Sequence, residues 1–291
     1  MNAYRFVILS FLVINIGCSS GFKDTSTNDE WVSLLDKNLS QWDTYIGVPH
    51  HTVKNLEGVP KGDGMKGTAL GLNNDPLKVF STIEADGEVN LKVGGEIYGG
   101  LTSKKEYENY HLKLEFRWGE KKWKPRLNKL RDNGILYHCI GEHGAFWNVW
   151  MQSQEFQIQE GDMGDYYGLA GSVNNIHAIM QEDSFYVYNA SAEVIKLGSG
   201  QGNKMYRCVR EKNFEKRHGE WNTLELVCLN GKSYHIVNGE LVMILDKAES
   251  KTENGFSPVT RGKIQLQSEG AEAYYRRIEI MELQELPDFL K

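Results

Sequence analysis

At 291 residues, with 40% hydrophobic and 25% charged side chains, the chain is long enough for one large β-domain or two small domains. A formal net charge of -6 argues against a nucleic-acid partner, and the basic run Lys121-Lys122-Trp123-Lys124-Pro125-Arg126 is too short to reverse that balance and reads as a solvated loop. No CxxC or HExxH spacing occurs, which removes the usual structural zinc sites.

Met1 to Gly17 combine a basic start at Arg5, an apolar run from Phe6 to Ile14 and a small residue before Cys18, the pattern of an export signal and too short for a membrane span. The junction Ile16-Gly17-Cys18-Ser19 resembles a bacterial lipoprotein cleavage site, although Asn15 stands where an aliphatic residue is usual; an ordinary cleaved signal is the alternative. The first reading makes Cys18 the lipidated first residue of a periplasmic or outer-membrane lipoprotein, attached through it to a membrane of the cell envelope. Residues 18–29, rich in Ser, Thr, Gly and Asp, then serve as a flexible tether, and without a linker-like break after Glu30 the remainder, 30–291, is expected to be one domain. With Cys18 so used, Cys139, Cys208 and Cys228 cannot all pair, and buried free thiols are expected.

Short apolar or alternating runs then follow one another at Val89–Val93, Tyr110–Trp118, Gly134–Ile140, Glu155–Gln159 and His177–Met180. Five more lie at Thr223–Leu229, Lys232–Val237, Leu241–Leu245, Lys263–Ser268 and Ala273–Met281. Asn230-Gly231 and Asn238-Gly239 are strong hairpin turns between neighbouring runs. Helical spacing is confined to short possibilities at Trp31–Leu35 and Lys104–Glu106. The expected fold is all-β, a sandwich of two antiparallel sheets.

The stretch Arg131 to Asp162 carries polar and aromatic side chains that a folding core does not need. On the later strand Glu155, Gln157 and Gln159 share one face, with Phe156 and Ile158 on the other. On the earlier one Ile135, Tyr137 and Cys139 oppose Leu136 and His138, behind the turn signal Asp132-Asn133-Gly134. Pairing of the two strands would bring His138 to Glu155. Between them Phe146, Trp147 and Trp150 lie on an aromatic connection suited to a sugar or ring-shaped ligand, with one of the two tryptophans expected to stack on it. In Tyr110–Trp118 the residues Leu112, Leu114 and Phe116 face a core; the opposite row, with Glu115 and Arg117, is either a solvated outer face or a concave binding face.

Several pieces together make the chain resemble the 3-keto-disaccharide hydrolase family. They include Leu34 to Trp42, Gly100-Leu101-Thr102-Ser103, Leu114-Glu115-Phe116-Arg117 and Glu155-Phe156-Gln157-Ile158. Gly219-Glu220-Trp221-Asn222, Val237-Asn238-Gly239 and Gly262 to Gly270 continue the match in order almost to the end of the chain. The resemblance implies a concanavalin A-like jelly roll whose concave sheet holds the site, acting on glycosides oxidised at the 3-position. Two departures stand out: Asp132-Asn133-Gly134 replaces the usual Asn-Ser-Gly, and His138 stands where arginine is common. Segments 119–131 and 162–203 exceed the shortest members and are expected to shape the pocket.

A 3-keto group acidifies the C2 proton, so that a base at C2, a cation at the ketone oxygen and an acid at the leaving oxygen suffice for elimination; water added afterwards gives net hydrolysis. The candidates for this chemistry are Glu155 and His138 for proton transfer and Arg117 for the cation. Gln157, Trp147, Trp150, Tyr137, Glu115 and Gln267 are candidates for holding the substrate, and Glu269 reads as a turn residue at the rim. Should a divalent cation such as calcium take part, Glu155, Glu160, Asp162 and His138 are the available ligands. The partner expected in either case is an oligosaccharide or other glycoside. A non-catalytic, lectin-like carbohydrate-binding module is the competing reading, since the same concave face serves both.

Overall fold

The computed structural model describes residues 30–182, 184–202 and 205–291. The expected export signal, Cys18 and the tether lie outside them.

Two β-sheets pack face to face. The first runs, in pairing order, through Gly71–Leu72, Trp42–Ile46, Gly99–Ser103, Lys263–Ser268, Gly134–Ile140, Gln152–Gln157, Tyr166–Leu169, Arg207–Val209 and Phe185–Tyr188. Its pairings are antiparallel except the last, which is parallel. The second runs through Phe80–Ala85, Glu88–Val93, Ala271–Glu282, Tyr110–Lys122, Asn222–Leu229, Lys232–Val237, Glu240–Thr252, Ser172–Gln181 and Val194–Leu197, antiparallel throughout. Ser172–Gln181 also pairs with Phe185–Tyr188, so the two sheets are joined along one side by shared backbone hydrogen bonds. This is the all-β jelly-roll sandwich expected.

Lys232–Val237 and Lys263–Ser268 form over the expected residues, because alternation and flanking turn residues delimit both. Asn230 and Gly231 (φ 52° and 78°) and Asn238 and Gly239 (φ 54° and 86°) adopt the left-handed backbone that tight hairpins require. The two short helices do not form. Val32–Ser33 instead pairs with Glu279–Ile280, Lys104–Glu106 is irregular, and the only helical turns among the described residues are Ser199–Gln201 and Asp288–Leu290. Segments of three to five residues cannot offset the cost of helix nucleation.

The main core fills the space between the sheets. Leu112, Leu114, Phe116, Leu224, Leu226 and Tyr275 of the second sheet meet Ile46, Leu101, Ile135, Tyr137, Phe156 and Leu266 of the first. Full burial of such side chains contributes roughly 1.5–3 kcal/mol each. On the other face of the first sheet a smaller cluster, with Tyr98, Leu136, Cys139, Trp150 and Leu169, lies beneath the connection that follows Ile140. Cys139, Cys208 and Cys228 are free and buried, as expected.

One local irregularity matters for function. The ladder between Gly134–Ile140 and Gln152–Gln157 shifts register after Tyr137, and His138 sits at φ 50°. Such a bulge interrupts the alternation of side chains. Tyr137 and His138 therefore both face the inter-sheet core, and Cys139 joins Leu136 on the opposite side.

Candidate active site

The face of the first sheet turned away from the core carries a cavity of about 450 Å³. That lies within the range of small-molecule sites. Its lining falls into a polar group and an aromatic group, which come from different parts of the chain.

The polar group is built around Gly134. This residue lies between strands carrying Glu155 and Gln267, and a Cβ there would fall 2.3 Å from Glu155 Oε1 and 2.6 Å from Gln267 Oε1. Only glycine lets these two side chains meet over the strand. The turn before it is pinned: Asn133 Oδ1 accepts from the Gly134 amide at 2.9 Å and from the Tyr275 hydroxyl at 2.6 Å. Asp132 is thereby held opposite Glu269, with which it forms an isolated antiparallel bridge. Arg126 reaches in from the connection after Lys122. Its guanidinium meets Asp132 Oδ2 at 2.5 Å, donates to Glu269 Oε1 at 3.0 Å and donates to Gln159 Oε1 at 2.7 Å.

Asp132, Glu155 and Glu269 are each 5% exposed, so three buried carboxyl groups line one cavity with the Arg126 guanidinium. Burial pushes all three toward their neutral forms. Glu155 is raised well above the usual carboxylate range by desolvation and then by the charge of Asp132. Glu269 is raised by the same two causes, and it hydrogen-bonds to Asp132 in the direction that leaves the proton on Glu269. Asp132 is also raised by burial, opposed by Arg126. Burial thus favours the neutral forms of Glu155 and Glu269, while Arg126 opposes the same push on Asp132. Gln267 Oε1 is buried without a partner, an acceptor free for a hydroxyl.

The aromatic group comes from two connections and one strand. Phe146, Trp147 and Trp150 belong to the first, a tight turn in which the Phe146 amide donates to the Trp150 carbonyl at 2.9 Å. Trp150 is buried and donates its indole N–H to the Gly99 carbonyl at 3.0 Å, so it forms the floor. Trp147 is 44% exposed, stacks on Phe146 at 4.7 Å and, like Asn148, has a left-handed backbone (φ 52° and 58°). Non-glycine residues hold that conformation at a cost of about 1–2 kcal/mol. Tyr167 and Leu169 lie on the strand Tyr166–Leu169, and Tyr206 on the connection that leads into Arg207–Val209.

Of the residues singled out in the sequence, Glu155, Gln157, Gln267, Trp147 and Trp150 line this cavity. Arg117 does not. It lies on the outer face of the second sheet, its guanidinium 4.7 Å from the Trp221 ring and 5.2 Å from that of Tyr274. Glu115 shares that face and pairs with Arg276 at 2.5 Å and Arg277 at 3.0 Å. Alternation had separated this row from the core without saying on which side of the sandwich it falls. Tyr137 is in the core with its hydroxyl 3.1 Å from His235 Nε2. The bulge sends His138 there too, between Tyr110 and Tyr137, where burial lowers its pKa to about 4 and keeps it neutral. His138 and Glu155 therefore do not meet, although their strands pair.

The supposed cation ligands do not converge either. Glu160 pairs with Arg131 at 3.3 Å, Asp162 accepts from Gln159 at 2.6 Å, and His138 is in the core. Among the described residues no three His, Cys, Asp or Glu side chains are grouped as a metal cage. The calcium ligand set read from the sequence does not fit the structure.

Three site residues went unrecognised. Arg126 was hidden in a basic run that resembles a solvated loop, Asp132 in a turn signal and Glu269 in an apparent rim turn. The departure from Asn-Ser-Gly at Asp132 was the one available signal. Segments 119–131 and 162–203 both reach the cavity, through Arg126 and through Tyr167 and Ser199, as expected of them.

The jelly-roll fold and its polar and aromatic cavity, taken with the family that the sequence matches, mark a carbohydrate-active protein. Residues 30–281 match the model of the 3-keto-alpha-glucoside-1,2-lyase-like domain, and the chain belongs to that family. Among solved structures it is similar to an assumed glycosyl hydrolase from Parabacteroides distasonis ATCC 8503, at 18% identity over 87% of this chain and 100% of that one, with a TM-score of 0.46. A β-glucanase from Bacillus licheniformis (12% identity, 87% and 98% coverage, TM-score 0.41) is also similar. So is a carbohydrate-binding module from Bacillus subtilis (7%, 70% and 92%, 0.40). No curated protein matches the chain.

Proposed function

We propose that the protein is an enzyme that cleaves 3-keto-glycosides by elimination across C2 and C1. One observation carries this reading: three buried carboxyl groups around a single arginine in one cavity. The Asp132–Glu269 pair, holding one proton between its two carboxyls, takes the C2 proton. The electrons left on C2 delocalise into the ketone as an enolate, whose charge Arg126 offsets. As the C1–oxygen bond breaks, Glu155, the acid held protonated by burial, gives its proton to the departing oxygen. Water adding its hydroxyl to C1 and its proton to C2 of the unsaturated keto sugar converts the lyase product to the hydrolase product. Glu155, a candidate for proton transfer from the sequence, thus takes the part of the acid.

Incubation with a panel of 3-keto-glucosides and mass-spectrometric analysis of the products tests this. An unsaturated keto sugar reports elimination and its hydrated form reports net hydrolysis. Tight binding of unoxidised disaccharides with 3-keto forms left intact would instead establish the carbohydrate-binding module, a reading favoured by the exposed Trp147. The envelope location rests on Cys18. Release of the protein from membranes by Cys18→Ser is the expected outcome, and equal retention removes the lipid anchor.

A further inference from the structure

The polar and aromatic parts of the cavity make different demands on a substrate. Around Arg126 the side chains offer carboxyl, amide and guanidinium groups, the equipment for an oxidised sugar ring. The rest of the lining is Phe146, Trp147, Trp150, Tyr167, Leu169 and Tyr206. Three of the polar side-chain atoms in this part are engaged with the protein. The Trp150 indole N–H donates to Gly99, Tyr167 accepts from Arg207 at 2.9 Å, and Ser199 Oγ accepts from the Gly171 amide at 2.7 Å.

A second sugar in this part of the cavity would bring several hydroxyl groups to a mainly aromatic and aliphatic wall, and each hydroxyl left unpaired against it would cost affinity. A flat ring would find faces to stack on. The tyrosines are set for that role: Tyr167 and Tyr206 lie with ring centroids 5.5 Å apart, and Arg207 holds Tyr167 by the hydrogen bond and by a guanidinium 5.9 Å from its ring. Trp147 and Tyr206 keep 44% and 42% of their surface exposed in the free protein.

Resting on the proposed reaction, we infer that the aromatic part is a leaving-group subsite for a planar aromatic aglycone, so that the substrate class is 3-keto-glucosides of phenols. Trp147 and Tyr206 are its specificity-determining residues, contributed by two connections outside the strands that hold Glu155 and Gln267.

The test compares phenyl, methyl and glucosyl 3-keto-glucosides on the protein and on Trp147→Asn and Tyr206→Ala. Asparagine tolerates the left-handed backbone at position 147, and a thermal melt confirms that each variant folds. The expected result is a phenyl-to-glucosyl ratio of kcat/KM that falls about tenfold in each variant, carried by KM, as loss of one stacking contact predicts. Equal losses on all three substrates overturn the subsite. Absence of turnover by the parent protein removes the proposed reaction and leaves the subsite to a binding measurement. In that measurement calorimetry with unoxidised phenyl and methyl glucosides should show tighter phenyl binding that Trp147→Asn abolishes. Equal affinities for the two glucosides overturn the inference.

Discussion

Two clusters of arginine, carboxylate and aromatic side chains lie on opposite outer faces of this sandwich, and they differ in stoichiometry and dryness. On the second sheet Arg276 and Arg277 meet Glu88 and Glu115, two cations against two anions, and Trp221 receives the guanidinium groups of both Arg117 and Arg276. Arg277 keeps 55% of its side chain exposed there. On the first sheet one arginine faces three carboxyls that are each 5% exposed. In the first arrangement each carboxylate meets both Arg276 and Arg277, so its charges satisfy one another. In the second the carboxyls outnumber the arginine and are buried, which pushes all three toward their neutral forms. Residue types alone do not separate a charged surface from a reactive one; the ratio of charges and the exclusion of water do.

The contrast can be broken most severely at Arg126. Arg126→Ala should lower kcat/KM about 1000-fold, in line with loss of a charge-stabilising group, and should destabilise the fold by about 3–5 kcal/mol because Asp132 is left buried without its cation. Steady-state kinetics and denaturant melts measure both, and an active Arg126→Ala would equate the two clusters.

Glu155→Gln should cut turnover about 100-fold yet stabilise the protein. The folded-state pKa of Glu155 lies above its unfolded value of about 4.3, so the stability it contributes is complete below that pH and is lost as pH rises through the folded value. Glutamine has no such loss. The variant's advantage should therefore widen with rising pH, reaching roughly 2–8 °C in Tm for about 1–2 kcal/mol. A Tm difference that does not change with pH would mean that Glu155 is charged throughout.

Gly134→Ala tests how closely the acid is held. Its methyl group would displace Glu155 or Gln267, and a loss of about tenfold in kcat with little change in global stability is expected, since small misplacements at the reacting centre are costly. The smallest effect belongs to the other face. Arg117→Leu should leave kcat/KM unchanged and shift stability by no more than about 1 kcal/mol, because it removes only partly exposed cation–π contacts. A loss of activity there would tie the two faces together.

The sandwich was largely legible in the sequence because alternation and turn residues are local signals. Asn230-Gly231 and Asn238-Gly239 announced their hairpins, and the row Glu155–Gln157 was correctly separated from Phe156 and Ile158. What failed was whatever depends on distant parts of the chain. Parity assigned Glu115 and Arg117 to a face but could not say which sheet would be concave. At His138 a single bulge reversed the orientation that parity assigned, and no residue pattern marked it. Arg126 enters the site across 143 positions of sequence to reach Glu269, a contact that only the folded chain makes.

That entry has an evolutionary consequence. The acids sit on or beside strands fixed by the sandwich core, while Arg126 arrives on a connection and Trp147 and Tyr206 on two others. The carboxyl groups and the outer aromatic side chains are therefore inherited on separable pieces of chain. Insertions or exchanges in the connections can retune which glycoside is accepted while the acids stay in place, so descendants of this scaffold can diversify their diets without having to refold.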